Sequence, residues 1–551
     1  MHSLIPLSLI LAVSDVVYAV KLPFYVRTSS TAPERSVGRR AVPISNNGNA
    51  EYMSNITLGG TTVSVILDTG SSDLWVNFPK TTPPTKDLGK SLSLSYAVGS
   101  ASGTVKSAQL QFDGFTVEDQ AFLLVPDRSS FSKDTSFDGL LGLGPNEGSV
   151  IHDKLDSAAG DSMINRIFSQ NKSASNYITF LLDRKNDPGE TLTGQFTIGE
   201  TVKGFENITA QPKLNVKTVH KLLEDQQHWQ AMTDKDKTLI GPDGNYINIK
   251  SIVPRAPKGQ LVAVFDSGFT FSQVPREMSD AIYGRVQGAV YDPKNEWWTV
   301  PCGQMLNLTF SFGGVAFPIN PLDTVDDNFK IMDSTGNRVC IGAFQPITSA
   351  FSLFGNFDMI MGMTFLRNAY TLMDFGDWID SSSVDRGDPF IQLLPLTNVA
   401  AAHAGFVKQR LAGVDTSGAS QYQLLPASQQ QHSPVSDSEK KAKYEEMILS
   451  RWPYIFVGCL VAVALLVGFI VWRCCCRRKG KQGKAAAGAA GFFPQKTQAY
   501  HPLQVQGGGA PPPSGYGNQG GYANQQTGYG FQQAGYGNQQ GGYNGGHGYT
   551  G

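Results

Sequence analysis

The sequence predicts an all-β body built from two related halves, followed by one apolar helix near the C-terminus. Three observations carry that prediction. Short β-rich runs separated by Gly, Asp and Pro fill the first ~400 residues. One strand-and-loop order occurs twice within them. A single apolar, charge-free stretch of 21 residues lies at Trp452–Trp472.

Composition narrows the class. The 551 residues are room for about three to four average domains. Lysine plus arginine number 45 against 46 acids, a net charge of -1, so global charge points to no particular partner and to no nucleic acid. Seven of the basic residues and none of the acids lie from Arg473 onward, and so do 21 of the 59 glycines. Collagen, a disulfide miniprotein and a wholly disordered chain are excluded. Of six cysteines, Cys302 and Cys340 stand apart in the large N-terminal portion, and no Cys-x-x-Cys pair exists to argue for zinc.

From the N-terminus, Leu4 to Val13 is a short apolar run, and Val17-Tyr18-Ala19 has the small residues of a cleavage site, which predicts a signal peptide over 1–19. Residues 20–40 read as a polar leader ending in the dibasic pair Arg39-Arg40. The folded body follows over 41–396, in lobes of about 41–205 and 206–396. Strands are expected at Val63–Leu67, Leu92–Tyr96 and Gln260–Phe265, and helices only at Ser162–Gln170 and Met278–Gln287. Residues 397–451, rich in Ala, Ser, Gln and charge, read as a solvated stalk with a short helix around Lys440–Ile448.

The span 452–472 reaches roughly 31 Å as a helix, a bilayer core's thickness. Tryptophan stands at each end, and Arg473, Arg477, Arg478, Lys479, Lys481 and Lys484 mark a cytosolic side. The expectation is a single-pass type I protein held in lipid by this helix, its body extracellular or lumenal, at the plasma membrane or in a vacuole or endosome. Cys474, Cys475 and Cys476 in the basic collar are candidates for S-palmitoylation. The tail, 473–551, repeats Gly-Tyr-Gly-Asn-Gln at Gly515 and Gly535 and lacks the apolar content to fold. Sequons at Asn55, Asn171, Asn207 and Asn307 all precede the span and are candidate N-glycan sites.

The duplicated order carries the chemistry. Ile66-Leu67-Asp68-Thr69-Gly70 and Val264-Phe265-Asp266-Ser267-Gly268 each end an apolar strand in Asp, hydroxyl and Gly. Each is followed downstream by an apolar pair and glycine, Leu140-Leu141-Gly142 and Ile360-Met361-Gly362. One Asp-Thr-Gly fits an ordinary turn; two in the same context do not arise so simply.

Over about Glu51 to Leu396 the chain resembles the pepsin-like aspartic endopeptidases. Asp68 to Val76 looks like the first active-site loop, Tyr96 to Gly103 like the flap, and Phe137 to Gly144 and Ile360 to Asp374 like the loop-crossing strands. The resemblance implies a bilobal fold with pseudo-twofold lobes, a cleft between them that takes polypeptide substrates, and a disulfide between Cys302 and Cys340. It implies Asp68 and Asp266 as the catalytic pair, braced by Thr69, Gly70, Ser71, Ser267 and Gly268. Tyr96, Trp75, Gly99, Phe269 and Thr270 would then contact substrate, with the Tyr96 hydroxyl bonded to the Trp75 indole. Two carboxylates held together share one proton, so one serves as base toward water while the other bonds the peptide carbonyl. That chemistry needs no cofactor and no metal, and the chain is read as a monomer.

The sequence also departs from the family pattern. Phe269 stands where a hydroxyl residue usually follows the second glycine, and the flap has Ala97 and Val98. The leader is short, and the first lobe has no cysteine pair. Phe269 motivates the alternative reading, a pepsin-like pseudo-enzyme that binds peptides or cell-surface partners.

Overall fold

A computed structural model describes residues 41–47, 51–96, 100–126, 137–171, 175–184, 193–219, 226–254, 256–333, 335–347, 356–379, 386–435 and 437–476. The body is mostly short strands, in agreement with the all-β reading. Among the described residues thirteen strands form one sheet, and three smaller sheets have five, four and four strands.

The repeated sequence order becomes a repeated register. Strand Thr61–Asp68 runs parallel to Gly139–Gly142, with Asp68 opposite Gly142. Gly139–Gly142 pairs antiparallel with Leu74–Val76, which runs parallel to Phe115–Leu124. In the second half Val262–Phe265 runs parallel to Met359–Met361. That strand pairs antiparallel with Ser272–Val274, which runs parallel to Phe344–Pro346. All-apolar strands such as Val-Ala-Val-Phe belong in these positions because both of their faces are covered.

One more repeat was not legible in advance. Asp138 Oδ2 accepts from Ser64 N at 2.9 Å, and Asp358 Oδ2 accepts from Val262 N at 2.7 Å. Each carboxylate thus holds the strand that carries a candidate catalytic aspartate, at the corresponding position in its half.

The halves share a base. Tyr177–Leu182 pairs with Thr193–Ile198 on one side and with Ala369–Asp374 from the second half on the other. Beneath it Asp323 is buried between Arg184 (Nε–Oδ2 3.0 Å) and Arg367 (Nε–Oδ1 2.8 Å). Burial alone would raise the Asp323 carboxyl, and the two guanidinium groups overcome it and hold the carboxyl below its ordinary range.

The predicted strands fall on Thr61–Asp68, Lys86–Ser95 and Val262–Phe265, the second stopping before the expected Tyr96 and the third starting after the expected Gln260 and Leu261. The expected helices occur at Met163–Ser169 and Arg276–Tyr283, with further short helices at Val150–Leu155 and Met363–Leu366. Cys302 and Cys340 form a disulfide, with Cα atoms 5.0 Å apart.

The stalk reading needs correction. Helix Val399–Arg410, capped by Asn398, buries Ala402, Phe406 and Val407 against the body. Arg410 reaches the Val325 carbonyl at 2.9 Å. Further along, Ser433 is buried and donates to Asp280 Oδ1 at 2.6 Å, while Arg276 donates to it at 2.7 Å. The segment over 399–433 is therefore held on the body by its helix and by Ser433, although most of 411–432 between them is exposed. Four of the helix's twelve residues are alanine and its larger apolar residues form no continuous stripe, so periodicity gave no amphipathic signal.

The last described element is the helix Asp437–Cys476, which begins earlier than the expected Lys440. Within it Tyr454–Arg473 is long and apolar enough to cross a membrane, and none of that window is buried. The signal peptide, leader, dibasic pair and the tail beyond Cys476 lie outside the described residues, while 473–476 end the helix.

Candidate active site

Each candidate aspartate ends a buried strand and turns into a glycine loop. The loops are tied by an exchange between two hydroxyls. Thr69 Oγ1 donates to the Phe265 carbonyl at 3.0 Å and accepts from Ser267 N at 2.9 Å. Ser267 Oγ donates to the Leu67 carbonyl at 2.7 Å and accepts from Thr69 N at 3.1 Å. All four bonds are buried, so no water competes for them.

The carboxylates sit above this brace, Asp68 1% and Asp266 3% exposed. Gly70 N donates to Asp68 Oδ1 at 2.9 Å and Gly268 N to Asp266 Oδ1 at 2.7 Å. Ser71 Oγ donates to Asp68 Oδ2 at 2.5 Å. Among the described residues no hydroxyl does the same for Asp266, and Phe269 occupies the place.

The asymmetry sets the protonation order. Burial raises both carboxyls, and bonds from Ser71 and Gly70 pull Asp68 back. Asp266 is driven much further up, by burial and then by the Asp68 charge. The pair therefore holds its shared proton on Asp266 and its charge on Asp68.

The sequence that builds this geometry matches known proteins. The family model for eukaryotic aspartyl proteases matches residues 51–378. The chain belongs to that family. This aspartyl protease chain is 24% identical over 377 residues to a probable aspartic-type endopeptidase CTSD of Arthroderma benhamiae, covering 64% of each. It is 27% identical over 360 residues to aspartic protease 1 of Caenorhabditis elegans, covering 59% of this chain and 80% of that one. It is 27% identical over 368 residues to cathepsin E of Cavia porcellus, covering 61% and 81%. The chain thus spans just under two thirds of the length of the fungal relative.

In the aspartyl protease frame Tyr96 closes a hairpin of Lys86–Ser95 with Ser100–Phe112, where Ser95 faces Ser100. Its hydroxyl is pushed well above its ordinary range by burial and then by the Asp73 and Asp68 charges, which places it near the dyad. The Trp75 ring lies 6.5 Å from the Tyr96 ring, with its indole in hydrogen-bonding reach of the hydroxyl. Gly99 lies outside the described residues.

Like Tyr96, three further expected substrate contacts are buried. Trp75 is fully enclosed and meets Phe137 edge-on at 6.1 Å. Phe269 is 1% exposed, in an apolar cluster with Ile66, Val264, Ile347 and Ile360. Thr270 is buried as well. A large ring following a buried strand gains more from the core than from a wet cleft, so Phe269 supports the loop rather than walling the cleft.

Two site neighbours escaped the sequence reading. Asp73 accepts from Ser149 Oγ at 2.6 Å and from Val150 N and Ile151 N at 3.0 Å each, capping the helix Val150–Leu155. Its position in Asp68–Val76 was a signal, but its partner lies 76 residues on. The half-buried His228 packs edge-on against Phe357, and no motif marks it. Among the described residues no group of three or more His, Cys, Asp and Glu could hold a metal ion. Asn55, Asn171, Asn207 and Asn307 are all exposed.

Proposed function

We propose that this chain is an aspartic endopeptidase that hydrolyses peptide bonds at acidic pH with Asp68 and Asp266. The observation that carries the reading is the unequal pair itself: two buried aspartates on mutually braced loops, only one of them backed by a serine. Asp68, ionised, accepts a proton from water as that water attacks the peptide carbonyl carbon. Asp266, protonated, donates to the carbonyl oxygen and stabilises the developing charge. Collapse of the tetrahedral intermediate breaks the C–N bond as the amine takes up a proton from the pair. Tyr96 on its hairpin covers the bound peptide.

The body is tethered through Tyr454–Arg473 in a single-pass type I orientation, with the exposed sequons carrying glycans and the Gly/Tyr/Gln tail in the cytosol. Cleavage after Arg40 gives the mature start at Ala41, and Cys474 to Cys476 carry acyl chains. The deciding experiment is cleavage of a peptide library by the full-length protein in detergent, from about pH 3 to about pH 7. Asp68→Asn and Asp266→Asn should each abolish it. The missing hydroxyl at Phe269 favours one second reading, a peptide-binding pseudo-enzyme, and wild-type protein that cuts nothing at any pH replaces the first with it.

A further inference from the structure

An open groove of about 300 Å³ lies on the second half, and a sequon asparagine stands in its wall. One side is the hairpin of Leu308–Phe312 with Val315–Ile319, the other the first turn of the helix Val399–Arg410. Asn307, Pro318, Pro321, Val399 and Ala402 are among the residues that line it. Leu308 turns inward and is buried, so Asn307 and Thr309 on either side of it face outward, with Pro318 opposite Thr309. Val399 is 61% exposed, a large apolar side chain left uncovered on the far wall.

The helix is held at its ends and on its inner face. Asn398 Oδ1 accepts from Ala401 N at 3.0 Å, and Thr397 Oγ1 donates to Asn368 Oδ1. Arg410 donates to the Val325 carbonyl at 2.9 Å, and Ala402, Phe406 and Val407 are buried between these anchors. The outer side of its first turn faces the groove. We propose that an N-linked glycan on Asn307 lays its first N-acetylglucosamine in this groove, against Pro318 and Val399, and so clamps the helix Val399–Arg410 to the second half. The inference rests on the lumenal orientation of the body.

The groove and the sequon together name the occupant. Asn307-Leu308-Thr309 is an acceptor sequence with an exposed asparagine. Of the four sequons, only this one has its asparagine in the groove wall. The glycan comes from a lipid diphosphate oligosaccharide. Asparagine Nδ2 bonds to the sugar's C1 as the C1–oxygen bond to the diphosphate breaks, and the proton lost from Nδ2 leaves with the diphosphate. A pyranose ring presents C–H groups on its faces and a methyl on its acetamide, which pack on proline and valine while its hydroxyls stay in water. The sugar is already attached beside the groove, so seating it costs little association entropy, and a small apolar contact is enough to hold it.

The test is hydrogen exchange of the Val399–Arg410 amides in full-length protein, made in a cell that N-glycosylates and held in detergent. Glycopeptide mass spectrometry on the same sample should find Asn307 occupied. An endoglycosidase that leaves the first N-acetylglucosamine should not change the exchange. An amidase that removes this sugar too should speed it roughly fivefold, and both enzymes act on protein that has already folded. Thr309→Val, which abolishes the sequon and keeps Asn307, should match the amidase. Val399→Ser should speed exchange by a similar factor and add little to Thr309→Val, because both remove one contact. Asn55→Gln, which removes a sequon elsewhere, should leave this helix unmoved. A bare Asn307 beside another occupied sequon overturns the inference and leaves the orientation intact. If no sequon is occupied, the orientation fails and the inference falls with it. An occupied Asn307 whose complete removal leaves exchange unchanged overturns the inference alone, and so do additive effects of Val399→Ser and Thr309→Val.

Discussion

A Cβ placed on Gly70 would lie 2.1 Å from Asp266 Oδ2, and one placed on Gly268 would lie 2.5 Å from Asp68 Oδ1. Each loop's glycine is the floor beneath the other loop's carboxylate. No side chain fits either place without moving the dyad.

Gly70→Ala and Gly268→Ala should therefore displace the opposite aspartate. We expect kcat to fall at least a hundredfold in each, in line with the loss from an angstrom of misplacement. Folding stability should fall by only about 1–3 kcal/mol, the usual cost of overpacking. Single-turnover kinetics beside urea denaturation separates the two effects. Full activity in Gly70→Ala would contradict the contact.

The unequal pair predicts unequal limbs in the pH profile. Working activity should extend around pH 4 to 6, with its basic limb set by loss of the Asp266 proton. Phe269→Thr restores a donor to the Asp266 anion and should move that limb to lower pH. Ser71→Ala removes the donor to Asp68, raises its carboxyl and should move the acid limb upward. Profiles of kcat/KM for the two variants check both directions.

Asp323 makes a separate prediction about stability. Asp323→Asn leaves Arg184 and Arg367 buried without their anion, which should cost about 3–5 kcal/mol near neutral pH. The folded carboxyl lies below its unfolded value of 3.8, so its contribution is fully present above that pH and is lost as pH falls through the lowered value. Urea denaturation at several pH values should show the gap between wild type and variant closing only under strong acid.

The packed segment after Leu396 changes which fragment is worth making. A body ending at Val435 retains the burial of Ala402, Phe406, Val407 and Ser433, and one ending at Leu396 does not. We expect the longer fragment to have the higher Tm. Phe406→Ala in it should cost about 3 kcal/mol or more, as core aromatic truncations do. Equal Tm values for the two fragments would show that the docking contributes nothing.

Topology is tested on the full chain. A glycan-removing enzyme should shift its mobility, because the four exposed sequons lie before the span. An epitope on the tail should stay inaccessible from the lumenal side. Glycosylation of a new sequon placed near Gln506 would reverse the orientation.

The sequence by itself determined the β-rich class, the repeated loops of Asp, hydroxyl and Gly, and the span near the C-terminus. Each of these is written locally. Strands that end in Asp, hydroxyl and Gly carry their own turn chemistry, and an uninterrupted apolar run carries its own length. The disulfide came from resemblance rather than spacing. Tertiary structure alone decided what the loops bond to: Thr69 and Ser267 exchange hydrogen bonds across 198 residues. It also paired Asp138 and Asp358 with their strands, set Asp73 on a helix terminus, and brought His228 to Phe357. It buried Phe269 and drew residues 399–433 onto the body against the expectation of an open cleft wall and a free stalk. Burial and hydrogen-bond partners depend on what the rest of the chain places nearby, and no window of sequence contains that information.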